Sequence, residues 1–200
     1  RLSEWCSFNG VELHHVGTDN RAGDILVKPG SAMGGEESVT IVIETRDRQR
    51  PKGRKQIDDD MQNCMQERGA QYGIYLSKTR DGLANEIGDW AEGIGSHGPW
   101  VATTDEYALN AVRFLISMHR LNSLGNRSDG VDIQSLAAQV ERITTSMRHI
   151  STINKKAAAI RDGANDIQSE GQMLRDEVKD SLRNVEEALN SLVDSTDMPN

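Results

Sequence analysis

Apolar residues recur along this chain with a period of two in some stretches and near 3.5 in others, and the stretches predict its elements. Leu2 to Phe8 reads as the end of a helix closed by Asn9-Gly10, a turn pair that permits positive φ. Val11, Leu13 and His15 alternate with Glu12, His14 and Val16, as in a strand. The loop from Gly17 to Gly23 leads into a second strand, Asp24 to Lys28, which the glycine-rich stretch Pro29 to Glu37 ends. The β-branched run Val39 to Ile43 is a third strand. Pro51 suits a helix's first turn, and Ile57, Met61, Cys64, Met65 and Arg68 recur at helical spacing until Gly69. A fourth strand spans Gln71 to Leu76, a short helix residues 83–92 and a last strand Trp100 to Ala102. A helix follows over residues 104–122, where Thr103 and Glu106 match a reciprocal cap.

This order, a meander followed by a crossover, predicts an α/β domain over residues 1–125: a mixed sheet with helices on both faces. From Asp129 the pattern changes. Ile133, Leu136, Val140, Ile143, Met147 and Ile150, then Ile153, Ala157, Ile160, Ala164, Ile167, Gly171, Leu174 and Val178, then Leu182, Val185, Leu189 and Leu192 follow each other in steps of three and four. That is the seam of a coiled coil over residues 129–195, with the register slipping near Ile150 and near Val178. Ala157, Ala164 and Gly171 make one row of the seam small, and Gly163 and Gly171 each weaken a helix by roughly 1 kcal/mol relative to alanine. With no Pro or turn cluster to mark a hairpin, one rod of about 90 Å at 1.5 Å per residue is favoured over a folded-back pair.

Composition sharpens this division. The three Trp, three Tyr and two Phe residues all lie at or before Phe114, so the last third has no thick core of its own and must bury its stripe against another helix. The start at Arg1 reads as the edge of an internal fragment. No stretch has the roughly 18 apolar residues of a membrane span, and no signal-peptide pattern opens the chain. Cys6 and Cys64 are too few for a disulfide framework and lack close metal-ligand spacing, which favours inert thiols in a reducing, cytoplasmic setting. A net charge of −8 argues against a basic coat on nucleic acid but leaves room for a local basic rim.

The informative chemistry lies in Gly23-Asp24-Ile25-Leu26-Val27 and in Ile41-Val42-Ile43-Glu44-Thr45-Arg46-Asp47-Arg48. An acid at the start of one strand and an acid at the end of the next can stand side by side, and Mg²⁺ or Mn²⁺ takes oxygen ligands of that kind, here Asp24, Glu44 and the Thr45 carbonyl. Alternation sends Glu44 and Arg46 to one face and Thr45 to the other. The arrangement resembles the Asp…Glu-x-Lys signature of restriction-endonuclease-like nucleases. It is similar to the nuclease-like domain of bacterial coiled-coil proteins of unknown function, which also carry an Arg-Gly-Ala-x-x-Gly strand start, here Arg68 to Gly73.

The resemblance covers roughly the first 125 residues and implies Asp24 and Glu44 as metal ligands, with Lys52, Lys55 or Gln56 assisting from the following helix. Arg46 stands where the signature has Lys. Arginine holds phosphate but stays protonated, so it cannot take a proton from water. Arg46, Arg48, Arg50, Lys52, Arg54 and Lys55 place six cations in ten residues, a candidate phosphate-binding rim with Arg48, Arg50, Lys52 and Arg54 as nucleic-acid contacts. Each feature also has a plainer role: Asp24 as a turn acid, Glu44 paired with Arg46 or Arg48, the cations as a solvated loop. His14 and His15 face opposite ways on a strand and cannot chelate one ion together.

Two functions follow as expectations. The first is a Mg²⁺-dependent nuclease, or a nuclease-derived nucleic-acid-binding domain, on a homodimerising coil. The second is a non-catalytic assembly protein acting through that coil.

Overall fold

A computed structural model describes residues 2–30, 39–47, 50–125 and 133–196. Helix α1 (Leu2–Phe8) leads into β1 (Val11–His15), β2 (Ile25–Pro29) and β3 (Ile41–Arg46); α2 (Arg54–Arg68) crosses to β4 (Tyr72–Ser77), and a 3₁₀ turn (Arg80–Gly82) precedes β5 (Trp90–Gly95) and β6 (Gly98–Thr104). Helices α3 (Ala108–Gly125) and α4 (Ile133–Thr196) complete the chain. The strands form one mixed sheet in the order β1-β2-β3-β4-β6-β5. β1, β2 and β3 are antiparallel neighbours, β3, β4 and β6 are parallel, and β5 closes the edge as an antiparallel hairpin with β6.

Alternation along the strands builds two apolar layers. Ile41, Ile43, Ile74 and Val101 face α3, where they bury Val112 and Leu115. Val42, Tyr75, Trp100 and Ala102 face α2 and bury Ile57, Met61, Cys64 and Met65. The central strands are buried on both sides, as a parallel core sandwiched by helices requires. α2 stops at Gly69, whose φ of +60° allows Ala70 N–H to reach the Met65 carbonyl at 2.9 Å.

The short helix expected over residues 83–92 is not formed. Leu83, Ile87 and Trp90 have helical spacing and are all buried, but Leu83 and Ile87 enter the α2 layer while Trp90 enters the opposite one. No single helix face serves both layers, and Gly88, at φ +69°, turns the chain so that Trp90 begins β5. The cap expected from Thr103 and Glu106 is also absent. Thr103 belongs to β6 and donates its hydroxyl to the Asp89 carbonyl at 2.8 Å, and a 3₁₀ turn at Asp105–Tyr107 delays α3 to Ala108.

The chain forms two compact units, Arg1–Asn154 and Lys155–Asn200. The first part of α4 belongs to the first unit. Met147 joins the α3 layer, Val140 packs against it, and Thr144 and Ser151 are buried on the same stripe. Ser151 Oγ accepts the Asp89 N–H at 2.7 Å, Asn154 donates to Asp89 Oδ2 at 2.9 Å, and Arg148 Nη2 pairs with Glu92 at 2.7 Å. Part of the expected seam is therefore spent on the sheet's own layer. The second unit is the remainder of α4, which continues through Gly163 and Gly171 without a break, so a folded-back pair is not formed within this helix.

Candidate functional site

Ile25 lies opposite Ile43 in the antiparallel register, which brings Asp24 to the end of β3 beside Glu44 and Thr45. The two acids are neighbours but share no hydrogen-bond partner among the described residues. Asp24 Oδ2 accepts from the Thr45 N–H at 2.7 Å and from the Thr45 hydroxyl at 2.6 Å. Both bonds hold Asp24 Oδ2 at the end of β3. Thr45 thus contributes two donors to Asp24.

Glu44 points into the α2 layer and is 2% exposed. Its Oε2 accepts from the Gly23 N–H at 2.8 Å and from the Cys64 thiol at 3.5 Å. Its Oε1 is held by Arg46 Nη2, and the Arg46 side chain keeps about a third of its surface in water. Gly23 makes its close approach at φ +94°, where a Cβ would come within 2.4 Å of Val42 Cγ2. The ion pair on one face realises the alternation read from the sequence; the contributions of Gly23 and Cys64 come from tertiary structure.

Burial and the neighbouring Glu44 charge push the Cys64 thiol well above its ordinary value of 9.0, and burial raises Cys6 in the same direction. A raised folded-state value contributes stability that is present below the ordinary value and is lost as pH rises past it. Unfolding free energy should therefore fall above pH 9, by up to about 1.4 kcal/mol per pH unit for each thiol. Cys64→Ala should remove its share of that slope in urea titrations between pH 7 and pH 10.5; an unchanged slope would contradict the buried, neutral thiol.

The loop that delivers Asp24 is tied down from α2. Arg68 donates to the carbonyls of Ala22 at 2.8 Å and Gly23 at 2.7 Å, with longer bonds to those of Arg21 and Val16. Its Nη1 and Nη2 also reach Asp19 at 2.7 and 2.8 Å. Arg68, then Arg21, hold the Asp19 carboxyl far below its ordinary value. Glu67 adds a bond from the Ala22 N–H at 2.6 Å. The Arg68-Gly-Ala stretch, quoted above only as a motif, is thus the clamp on the Gly23-Asp24 turn.

No known protein family, characterised protein or solved structure matches this chain. Arg48 lies outside the described residues, and Arg50 is exposed. Lys52 pairs with Asp60 and lies 5.8 Å from the Tyr75 ring centre. Arg54 donates to the Glu92 carbonyl at 2.7 Å and lies 5.8 Å from the Trp100 ring. Lys55 is 89% exposed and pairs with Asp59 at 3.1 Å, while Gln56 Oε1 accepts the Gly53 N–H at 3.4 Å. Lys55 and Gln56 thus make bonds local to the start of α2, rather than bonds to Asp24 or Glu44. A cleft of about 430 Å³ collects Arg54 and Lys55 but sets Asp58 and Glu86 against them, so its charge is balanced.

A divalent cation fits these residues poorly. Gly23 and Cys64 take both acceptor directions of Glu44 Oε2, and a guanidinium already neutralises Oε1. Among the described residues no three His, Cys, Asp or Glu side chains gather as a cation site. Glu44, Arg46, Gly23 and Cys64 make a charge-balanced cluster in which the buried Arg46 Nε has no hydrogen-bond partner among the described residues, and Asp24 fastens the end of β3.

Proposed function

We propose that this chain is a non-catalytic assembly protein, with a nuclease-like head and a helical tail that joins one copy to another. The tail observation carries the reading. Ile160, Ile167, Leu174, Leu182 and Val185 fall on one stripe of α4 and are 75%, 73%, 62%, 57% and 55% exposed. Covering one such side chain completely is worth roughly 1.5–3 kcal/mol, and a row of them repeated at coiled-coil spacing is a surface that a second helix fits. No helix among the described residues is long and apolar enough to cross a membrane, so a bilayer-spanning role does not account for the stripe.

Replacing both Ile160 and Ile167 with aspartate puts two charges into the seam and should return the chain to monomer by light scattering, weakening association at least roughly a hundredfold. Association unchanged by both charges would overturn the reading.

The head's part in the proposal is structural, because Arg46 balances Glu44 where the nuclease resemblance implied a metal. The full chain should leave single- and double-stranded DNA and RNA uncut with Mg²⁺ or Mn²⁺, and Arg46→Lys should remain silent. Cutting that Asp24→Ala and Glu44→Ala abolish would restore the metal-dependent nuclease.

A further inference from the structure

We infer that the tail's partner is a second copy of this chain lying antiparallel to it, with Ala157 set against Leu174, Ile160 against Gly171 and Ala164 against Ile167 of the second copy. This rests on the self-association proposed above and adds its orientation and register.

The two rows of the seam carry the inference. One is Ala157, Ala164 and Gly171; the other is Ile160, Ile167 and Leu174, the latter exposed by 62–75%. In a parallel, in-register pair each residue meets its own copy. Layers of two small residues then alternate with layers of two large ones. Packed helices keep a nearly constant separation, so the small layers are left hollow or the large ones are crowded. Antiparallel pairing turns the small row of one helix against the large row of the other. Each layer from Ala157 to Leu174 then holds one large and one small residue, and side-chain volume is even along that stretch. Isoleucine in the row that follows the small one by three residues also disfavours the parallel two-stranded form, which takes leucine there.

Charges beside the seam agree. Lys156, Arg161, Glu170, Arg175 and Glu177 are all exposed. The antiparallel register brings Lys156 beside Glu177 of the second copy, twice by symmetry, and Arg161 beside the neutral Gln168. A parallel register sets Lys156 against Arg161 and Glu170 against Arg175, a like pair that offsets an opposite one. Two copies in this register are related by a two-fold axis, so the pairing of the 157–174 stretch closes at two chains.

Disulfide trapping in the full-length chain tests this. Cys6 and Cys64 are buried, which leaves introduced thiols as the accessible ones. An Ala157→Cys chain and a size-tagged Leu174→Cys chain, mixed and oxidised, should give a cross-linked species containing both, at least roughly tenfold above the product of either alone, because a disulfide needs Cβ atoms about 4 Å apart. The pair Ile160→Cys and Gly171→Cys should behave alike, which guards against one variant misfolding. Self-cross-linking of Ala157→Cys alone would overturn the orientation while leaving self-association intact. Dimers that trap through neither pair would overturn the register. A monomeric unaltered chain in light scattering would overturn both this inference and the assembly reading.

Discussion

Replacing Arg46 with alanine should lower the unfolding free energy by about 3 kcal/mol, because it leaves the Glu44 carboxylate buried without its countercharge. Glu44 is 2% exposed, and Arg46 Nη2 is its cationic partner. The Gly23 N–H and the Cys64 thiol would still donate to Oε2, but neither carries charge. Breaking a buried pair from one side generally costs about 3–5 kcal/mol, and the lower end applies because a third of the Arg46 side chain remains in water. Adding Glu44→Gln to Arg46→Ala should recover most of the loss, since an amide tolerates burial better than an unpaired carboxylate. Urea midpoints at unchanged m-value give the measurement. A loss under about 1 kcal/mol for Arg46→Ala would mean that the pair behaves as an ordinary surface salt bridge.

Arg68→Ala should cost a comparable amount, about 3 kcal/mol, for a different reason. The Arg68 side chain is 1% exposed and ties four carbonyls of the 16–23 loop to α2. Its loss removes at once the charged donor that these part-buried and exposed carbonyls share. Arg68→Lys should rescue little, because an ammonium on a flexible stem cannot span the positions that the planar fork serves. Limited proteolysis should then cut between Gly17 and Gly23 well before the rest of the first unit.

The acid limb should change as well. The folded-state value of Asp19 is depressed, so its contribution is present above the ordinary carboxylate value of 3.8 and is lost as pH falls below it. Without Arg68 that limb flattens. Wild-type resistance to proteolysis in Arg68→Ala would contradict the clamp.

These two residues differ in how far the sequence revealed them. The shared face of Glu44 and Arg46 follows from the two-residue period of a strand, so the ion pair was legible once β3 was assigned. The Arg68 clamp was not. It joins residues 45 to 52 positions apart and uses carbonyls, which carry no sequence signal. Cys64 likewise looked inert, and only the crossing of α2 over β3 brings its thiol to Glu44. The strand β5 was missed because Leu83, Ile87 and Trp90 mimic a helix face while entering two different layers.

The tail shows the same limit. Its helix was legible despite Gly163 and Gly171, because apolar steps of three and four persist through both glycines. That its first turns pack on the sheet's own layer was hidden, since Val140 and Met147 suit a coiled-coil seam and a head-facing stripe equally well. Thr144 and Ser151 were the available signal: hydroxyls on an apolar stripe need partners, and Ser151 finds the Asp89 N–H. Arg46, Lys52, Arg54 and Lys55 of the basic stretch find separate partners in the fold. The turn into α2 sends Lys52 to Asp60, Arg54 to Glu92 and Lys55 to Asp59.

Sedimentation equilibrium of the unaltered 200-residue chain across the micromolar range addresses the assembly claim most directly. The account predicts a concentration-dependent rise from the 22.1 kDa chain mass to twice that value. A mass that stays at 22.1 kDa throughout would contradict it.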